Sequence, residues 1–520
     1  MIFKQDSFKY YLLQPLLVAI FPGLFLFANN TGGTLLLEFL VLSLIIIIFS
    51  IIVFFLLDKI FKDRVKSSVF LTVFMIIFLN IGKLVQKFER FRFLSIKVFG
   101  WKFVLLFSFF IMILFFIFLF KRKNLNKMWA TCLIYPFLFL NLFAVINVGV
   151  GKYKCYKLIS DYEKINDSFE KKHFNIDKAE NLKDLPNVYY IILDQYVSSK
   201  VLHKYYDYDN SKFLQGLKDL GFVVSDECYS NYEFTALSVS SSLNMNYHKK
   251  LTNINVSEIL EEFADYWIKK NNVVKYFLLK GYKYLHISSH CLYTSSSPLY
   301  HDRNDYPWKI SKRFKERAHL GSSFLDSYLS DTALGMFWVK FNLGKEREIL
   351  LEQFQELKNS TNLREPYFIF SHILCPHSPY VVDDMGNSTY ENWPDVENGY
   401  INQVDFVSKE IEKTIKYILK NSRKKPVIIL QADHGVGTLL KEKDASPKSF
   451  GKEKTLWVFG ILNAWYIPDE NVKKLLYDNM SPVNNFRFIF DNYLNGDFEL
   501  LKDYSFWRKE TDECFEKVDF

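Results

Sequence analysis

Hydrophobic positions crowd the first 150 residues and thin out afterwards. Five nearly uncharged apolar stretches lie near 10–28, 35–57, 69–85, 101–120 and 128–150. A helix of about 20 residues crosses a bilayer, so residues 1–150 are expected to form a transmembrane domain of five spans. The third span is the shortest, and Lys83 near its end has to snorkel to the interface. A second apolar stretch follows the first at once, with no small-residue cleavage site between them, so a cleaved signal peptide is not expected. Residues 151–186 are rich in Lys, Glu and Asp and read as a juxtamembrane helix and linker.

From 187 onward the rhythm changes. Short β-rich runs end on polar residues: "NVYYIILDQY" (187–196) closes on Asp194, and "EPYFIFSHILCPHSPY" (365–380) repeats the design. "KPVIILQADHG" (425–435) does so again, ending on Asp433 and His434. Between them run amphipathic patterns such as 404–421, with apolar residues at helical spacing. Strands alternating with helices predict an α/β domain over 187–520, with a central, mostly parallel sheet covered on both faces. Ligands of such sheets gather beyond the carboxyl ends of the strands, where Asp194, His377, Asp433 and His434 all fall.

Loop charges orient the spans. Lys4 and Lys9 precede the first; "DKIFKDRVK" and "KRKNLNK" are basic, and "NNTGGT" is uncharged. The N-terminus is therefore expected inside and residues after 150 outside the cytoplasm. "QKFERFRFLSIK" is basic on the wrong side and is expected to lie as a helix in the interface.

Composition adds little. The chain has 520 residues, more than one ordinary domain, and a formal net charge of +8. No Lys/Arg block interleaved with aromatics stands out, so nucleic acid is not an expected partner. Six scattered cysteines form no C-x-x-C pair, so neither a zinc knuckle nor a redox motif is suggested; disulfides among them stay open.

The candidate chemistry sits in four places. "SNYEFTALSVSSSLNMNY" (230–247) carries Thr235 in a hydroxyl-rich stretch expected to open a helix, whose free N–H groups suit an anion. Asp194, Thr235, Asp433 and His434 together make an oxygen and nitrogen ligand set. A divalent cation held there would lower the Thr235 hydroxyl pKa and favour it as a nucleophile. Taken singly, each of these residues has an ordinary alternative role, such as a helix cap for Asp194 or Thr235. Ser238, one helical turn on, is expected as a structural hydroxyl. His286 and His290 read as structural, and Arg487 as a member of an ordinary ion pair.

With these residues in view, the chain resembles the alkaline phosphatase superfamily, and more closely its membrane-anchored, sulfatase-like transferases. These include lipoteichoic acid synthases and phosphoethanolamine transferases. The resemblance rests on the strand ending at Asp194, "TALSVSS" from Thr235, "PHSPY" with His377 and "ADHG" with Asp433 and His434. It implies one divalent metal ion (Mn, Zn or Mg) on Asp194, Thr235, Asp433 and His434. It also implies a phospho-threonine intermediate on Thr235 and contact of His377 with the substrate phosphate. His372 is expected as a supporting histidine, with phosphate contact open. The implied activity is transfer of a phospho-alcohol or phosphoryl group from a phospholipid or other phosphorylated donor to an envelope glycan or polymer.

Three departures qualify the likeness. Lipoteichoic acid synthases carry glutamate where this chain has Asp194. No histidine follows His434, whereas phosphoethanolamine transferases use one downstream. The C/S-x-P-x-R segment of formylglycine sulfatases is absent, which disfavours sulfate ester hydrolysis. Two other readings stay open: a phosphodiesterase or sulfatase-like hydrolase with water as acceptor, and an envelope scaffold whose site has decayed.

Overall fold

The structure is a computed structural model. It describes residues 8–29, 36–89, 92–93, 96–97, 101–174, 185–225, 227–248, 257–289, 291, 293–294, 323–363, 366–389, 398–436, 455–508 and 515–518. The chain divides into two compact units, Met1–Tyr156 with Gly321–Asn342, and Lys157–Leu320 with Leu343–Phe520.

The first unit holds α1 (Phe8–Ala28), α2 (Leu36–Phe61), α3 (Arg64–Glu89), α4 (Trp101–Lys121) and the start of α5 (Ile134–His173). All five are long and apolar enough to cross a membrane. Backbone polar groups cannot be left open in hydrocarbon, and a helix satisfies them internally. α2, α4 and α5 turn rows of Leu, Ile and Phe outward, as lipid-facing helices do. α5 does not stop near 150 but runs unbroken to His173. Among the described residues, no separate interface helix follows the third span. α3 continues to Glu89, and β1 (Arg92–Phe93) then pairs antiparallel with β2 (Ile96–Lys97). "RFRF" alternates polar and apolar residues with a period of two, which fits a strand better than a helix.

In chain order the rest begins with β3 (Val188–Leu193), α6 (Ser199–Tyr206), α7 (Ser211–Asp219), β4 (Val223–Val224) and β5 (Cys228–Tyr229). Next come α8 (Thr235–Asn244), α9 (Ser257–Lys269), α10 (Asn272–Leu279), β6 (Lys283–Ile287), α11 (Ser323–Ser330) and α12 (Gly335–Asn359). β7 (Tyr367–Ile373), α13 (Gly399–Asn421), β8 (Val427–Gln431), β9 (Gly460–Ile461) and β10 (Asn463–Tyr466) follow. α14 (Glu470–Lys473), α15 (Pro482–Tyr493), β11 (Ser505–Arg508) and β12 (Phe515–Val518) complete the order.

The main sheet runs β4-β10-β8-β3-β7-β6. β8, β3, β7 and β6 are parallel, while β10 and β4 make an antiparallel edge. Every residue of β3, "VYYIIL", is buried, because a central parallel strand has a covered face on each side. Val188, Tyr190 and Ile192 pack against Val239 and Leu243 of α8, Val273 and Phe277 of α10 and Phe486 and Ile489 of α15. On the opposite face the Tyr189 hydroxyl meets Ser360 Oγ at 2.9 Å, just beyond α12.

Residues 321–342, expected inside the catalytic domain, cluster with the membrane helices instead. Phe324 packs with Leu24, Phe27 and Phe39, and Tyr328 joins the core of α1, α2 and α3. The backbone secures the join: Gly82 N–H donates to Asp331 O at 2.8 Å, and Ala333 N–H donates to Phe78 O at 2.8 Å. A Cβ at Gly82 would lie 2.1 Å from Ser330 O, so only glycine admits the segment there. The reason is chemical: α11 carries large apolar side chains that the helices of this unit can cover. Among the described residues, Cys132, Cys228, Cys291 and Cys375 are free thiols.

Candidate metal centre

The register of the three central strands brings the acidic residues together. Ile192 of β3 pairs with His372 of β7 on one side and with Gln431 of β8 on the other. Two residues past Ile192 is Asp194, and two past Gln431 is Asp433. Asp194, His372 and Asp433 are buried and each offers a ligand atom, all within 4.8 Å of one another. His372 Nε2 lies 3.3 Å from Asp194 Oδ2 and 4.0 Å from Asp433 Oδ2.

Thr235 is the first residue of α8, with Phe234 as its extended cap. Its Oγ1 lies 3.1 Å from His434 Nε2, and that same nitrogen is 3.4 Å from Asp433 Oδ2. One turn later Ser238 Oγ donates to the Asp433 carbonyl at 2.6 Å and ties the helix start to the end of β8. Ser238 is thus the structural hydroxyl that was expected.

Other groups fix these side chains. Asp433 Oδ1 accepts from the backbone N–H groups of Gln195 at 3.1 Å and His434 at 2.9 Å, which leaves Oδ2 for the centre. Gln195 is held at φ 63°, a left-handed conformation uncommon for a side chain other than Gly or Asn. Tyr400 Oη donates to the Gln195 carbonyl at 2.7 Å and helps to hold that turn. His434 Nδ1 meets the Gly435 carbonyl at 2.7 Å. A carbonyl only accepts, so Nδ1 carries the proton and the Nε2 lone pair faces Thr235 and Asp433. Gly435 has a steric reason to be glycine, since a Cβ there would lie 2.2 Å from Trp457 O. His372 Nδ1 meets Thr294 Oγ1 at 2.9 Å, and Gln353 donates to the His372 carbonyl at 2.8 Å.

Burial alone would raise the Asp194 pKa, but His377, His372 and His434 outweigh it and hold the carboxyl well below the usual range. Burial alone would lower the His372 pKa, but Asp194 and the neighbouring Cys291 thiol hold it well above its ordinary value. Asp194 Oδ1 and Asp433 Oδ2 are shielded from solvent and complete no hydrogen bond. Two buried carboxylates, each with an oxygen whose electron pairs are unused, are what a cation would satisfy, so the residues fit a divalent metal ion. Carboxylate oxygens with imidazole suit zinc or manganese better than a soft metal.

Asp194, Thr235, Asp433 and His434 are therefore neighbours in space. His372, expected as a supporting histidine with phosphate contact open, lies between the two carboxylates. His377 is half-buried on the loop after β7, with Nδ1 against the Ser378 carbonyl, and it helps to hold the Asp194 carboxyl below its usual range. His286 is buried on β6; His290 lies outside the described residues. Arg487 makes no ordinary ion pair of the kind expected. It donates to the carbonyls of Met245 at 2.8 Å and Glu499 at 2.6 Å, where burial lowers its pKa to about 10. Thr294, Gln353 and Tyr400 gave no signal in sequence, because uncharged polar residues at loop and helix positions are too common to single out.

The sulfatase family profile matches residues 186–455. No curated protein matches the sequence. Among solved structures, the C-terminal periplasmic domain of EptC from Escherichia coli, in complex with zinc, is 12% identical. It has a TM-score of 0.38 and covers 65% of this chain and 94% of its own. The integral membrane lipooligosaccharide phosphoethanolamine transferase A of Neisseria meningitidis is 13% identical with a TM-score of 0.35, covering 91% of this chain and 94% of its own. The C-terminal periplasmic domain of the phosphoethanolamine transferase EptC of Campylobacter jejuni is 14% identical with a TM-score of 0.37, covering 61% and 91%. With the family profile spanning more than half of its length, the chain belongs to the sulfatase family, as a sulfatase-like enzyme of the alkaline phosphatase superfamily that carries five apolar membrane-type helices.

Proposed function

We propose that this protein is a metal-dependent membrane phosphotransferase. It moves a phospho-alcohol or phosphoryl group from a phospholipid head group to an envelope glycan, with the catalytic unit outside the cytoplasm. Asp194, Asp433, His434 and Thr235 hold one divalent cation, and His372 is a further candidate ligand. The bound ion supplies Lewis-acid polarisation of a phosphate oxygen and a lowered pKa at the Thr235 hydroxyl. Thr235 Oγ1 attacks phosphorus, the P–O bond to the lipid alcohol breaks, and that alcohol leaves with a proton. An acceptor hydroxyl then attacks the phospho-threonine, and Thr235 departs with its hydroxyl restored. His377 contributes a hydrogen bond to the phosphate as charge shifts in the transition state.

What carries this reading is the meeting of Thr235 with His434 and Asp433 beside shielded carboxylate oxygens that complete no hydrogen bond. A decayed scaffold would have no reason to keep such a constellation. The test is Thr235→Ala in the full-length protein, incubated with head-group-labelled phospholipid with and without glycan. Wild type is expected to yield a phosphorylated Thr235 peptide by mass spectrometry, and the variant to lose turnover by about a thousandfold or more. Labelled glycan supports transfer, whereas label released only to water makes the enzyme a hydrolase. Near-normal turnover in the variant overturns the nucleophile assignment.

A further inference from the structure

We propose that Tyr205, Tyr206, Tyr380 and Trp457 form a saccharide-stacking platform beside the metal centre, holding a sugar ring of the acceptor. The platform rests on the transferase reading for the word acceptor; the binding itself does not need it.

Trp457 is tied to the centre by its backbone, and the other three rings are placed by packing. Val436 N–H donates to Trp457 O at 3.2 Å, so Trp457 is locked beside the His434–Gly435 turn. Tyr205, at the end of α6, stacks on Trp457 with ring centroids 5.3 Å apart and planes within 14°. Tyr206 packs on Tyr400 at 4.8 Å, and Tyr400 is the residue that holds the turn after Asp194. Tyr380 comes three residues after His377, and its ring presses on Gly399, where a Cβ would lie 2.3 Å from Cδ2. The four rings thus extend from the His377 loop to the His434–Gly435 turn.

Tyr400 is buried, but the other four aromatics remain partly exposed. The Tyr206 hydroxyl and the Trp457 indole Nε1 are shielded and lie within reach of each other. Flat apolar faces with polar groups set among them match a pyranose, which offers a C–H face and a rim of hydroxyls. An acyl chain would make no use of the polar groups. A cationic head group is opposed because Lys204 Nζ already sits over the Tyr205 ring at 5.7 Å, and a second cation would meet its charge.

The experiment uses full-length protein in lipid nanodiscs, labelled with 5-fluorotryptophan. Trp457→Phe identifies the Trp457 resonance. Hexasaccharides of glucose, mannose and N-acetylglucosamine are titrated separately, with ethanolamine as the cationic control. At least one sugar is expected to shift the Trp457 line saturably below about 10 mM. Tyr205→Ala is expected to weaken that binding about tenfold while the remaining tryptophan lines stay in place. A Trp457 line unmoved by all three sugars, or moved by ethanolamine instead, overturns the proposal. No turnover is read, so a failed titration with an active Thr235 sinks the platform alone. A successful titration with a dispensable Thr235 sinks only the transfer chemistry.

Discussion

Residue scale first: Asp433 does two jobs with one carboxylate. Oδ1 is consumed by two backbone N–H groups, and Oδ2 is left bare toward His372 and His434. His372 stands between the acids with its far nitrogen anchored on Thr294. His372→Ala is therefore expected to lower metal content or affinity about 10- to 100-fold, as loss of a ligand or of its orienting partner does. Elemental analysis of wild type and variant after dialysis against limiting zinc checks this, and equal metal content would place His372 outside the centre. A second histidine gives a pH prediction. His248 is buried among Tyr162, Tyr232 and Phe263, with Nδ1 3.1 Å from the Tyr162 hydroxyl. Burial lowers its pKa to about 3, so the folded protein keeps it neutral. The unfolded chain takes up that proton below about pH 6.5. The sign follows: the contribution is present above that pH and is lost as pH falls toward 3, by at most about 1.4 kcal/mol per pH unit. Melting temperatures of wild type and His248→Gln should diverge near neutrality and approach each other in acid.

At the scale of elements, α3 and the 330–333 segment show how one glycine governs a join. The carbonyl of Phe78 and the N–H of Gly82, one helical turn apart, both reach the same incoming strip of backbone. Lys83 adds an ion pair to Asp331 at 3.1 Å, which explains how a lysine sits at that end of the third span. Gly82→Val would drive a side chain into Ser330 and Asp331. The expected loss is about 2–4 kcal/mol, from overpacking together with severed backbone bonds, read as a lower melting temperature in detergent. α8 makes a comparable point: its first residue meets His434, and its fourth clamps the backbone of Asp433, so helix and strand ends are set together.

For the whole molecule, order along the chain is not order in space. Residues 321–342 fall within the second half of the sequence but belong to the membrane unit, where Phe324 and Tyr328 are buried. Residues 187–520 expressed alone should therefore expose that apolar patch and aggregate. Replacing 323–342 with a Gly/Ser linker should restore a monodisperse species by size-exclusion chromatography with light scattering. A monodisperse 187–520 fragment with the segment intact would contradict the division into units.

The sequence by itself determined the five apolar helices, the parallel-stranded character of the second half and the short motifs that hold Asp194, Thr235, Asp433 and His434. Those features are local: span length, strand apolarity and a ligand pair after a strand are written in consecutive residues. Tertiary structure alone decided that His372 joins the carboxylates, that Ser238 and Tyr400 hold the turns and that 321–342 returns to the membrane helices. Each of these depends on strand register or on a glycine-sized gap between residues far apart in the chain, and no run of neighbouring letters records such a distance.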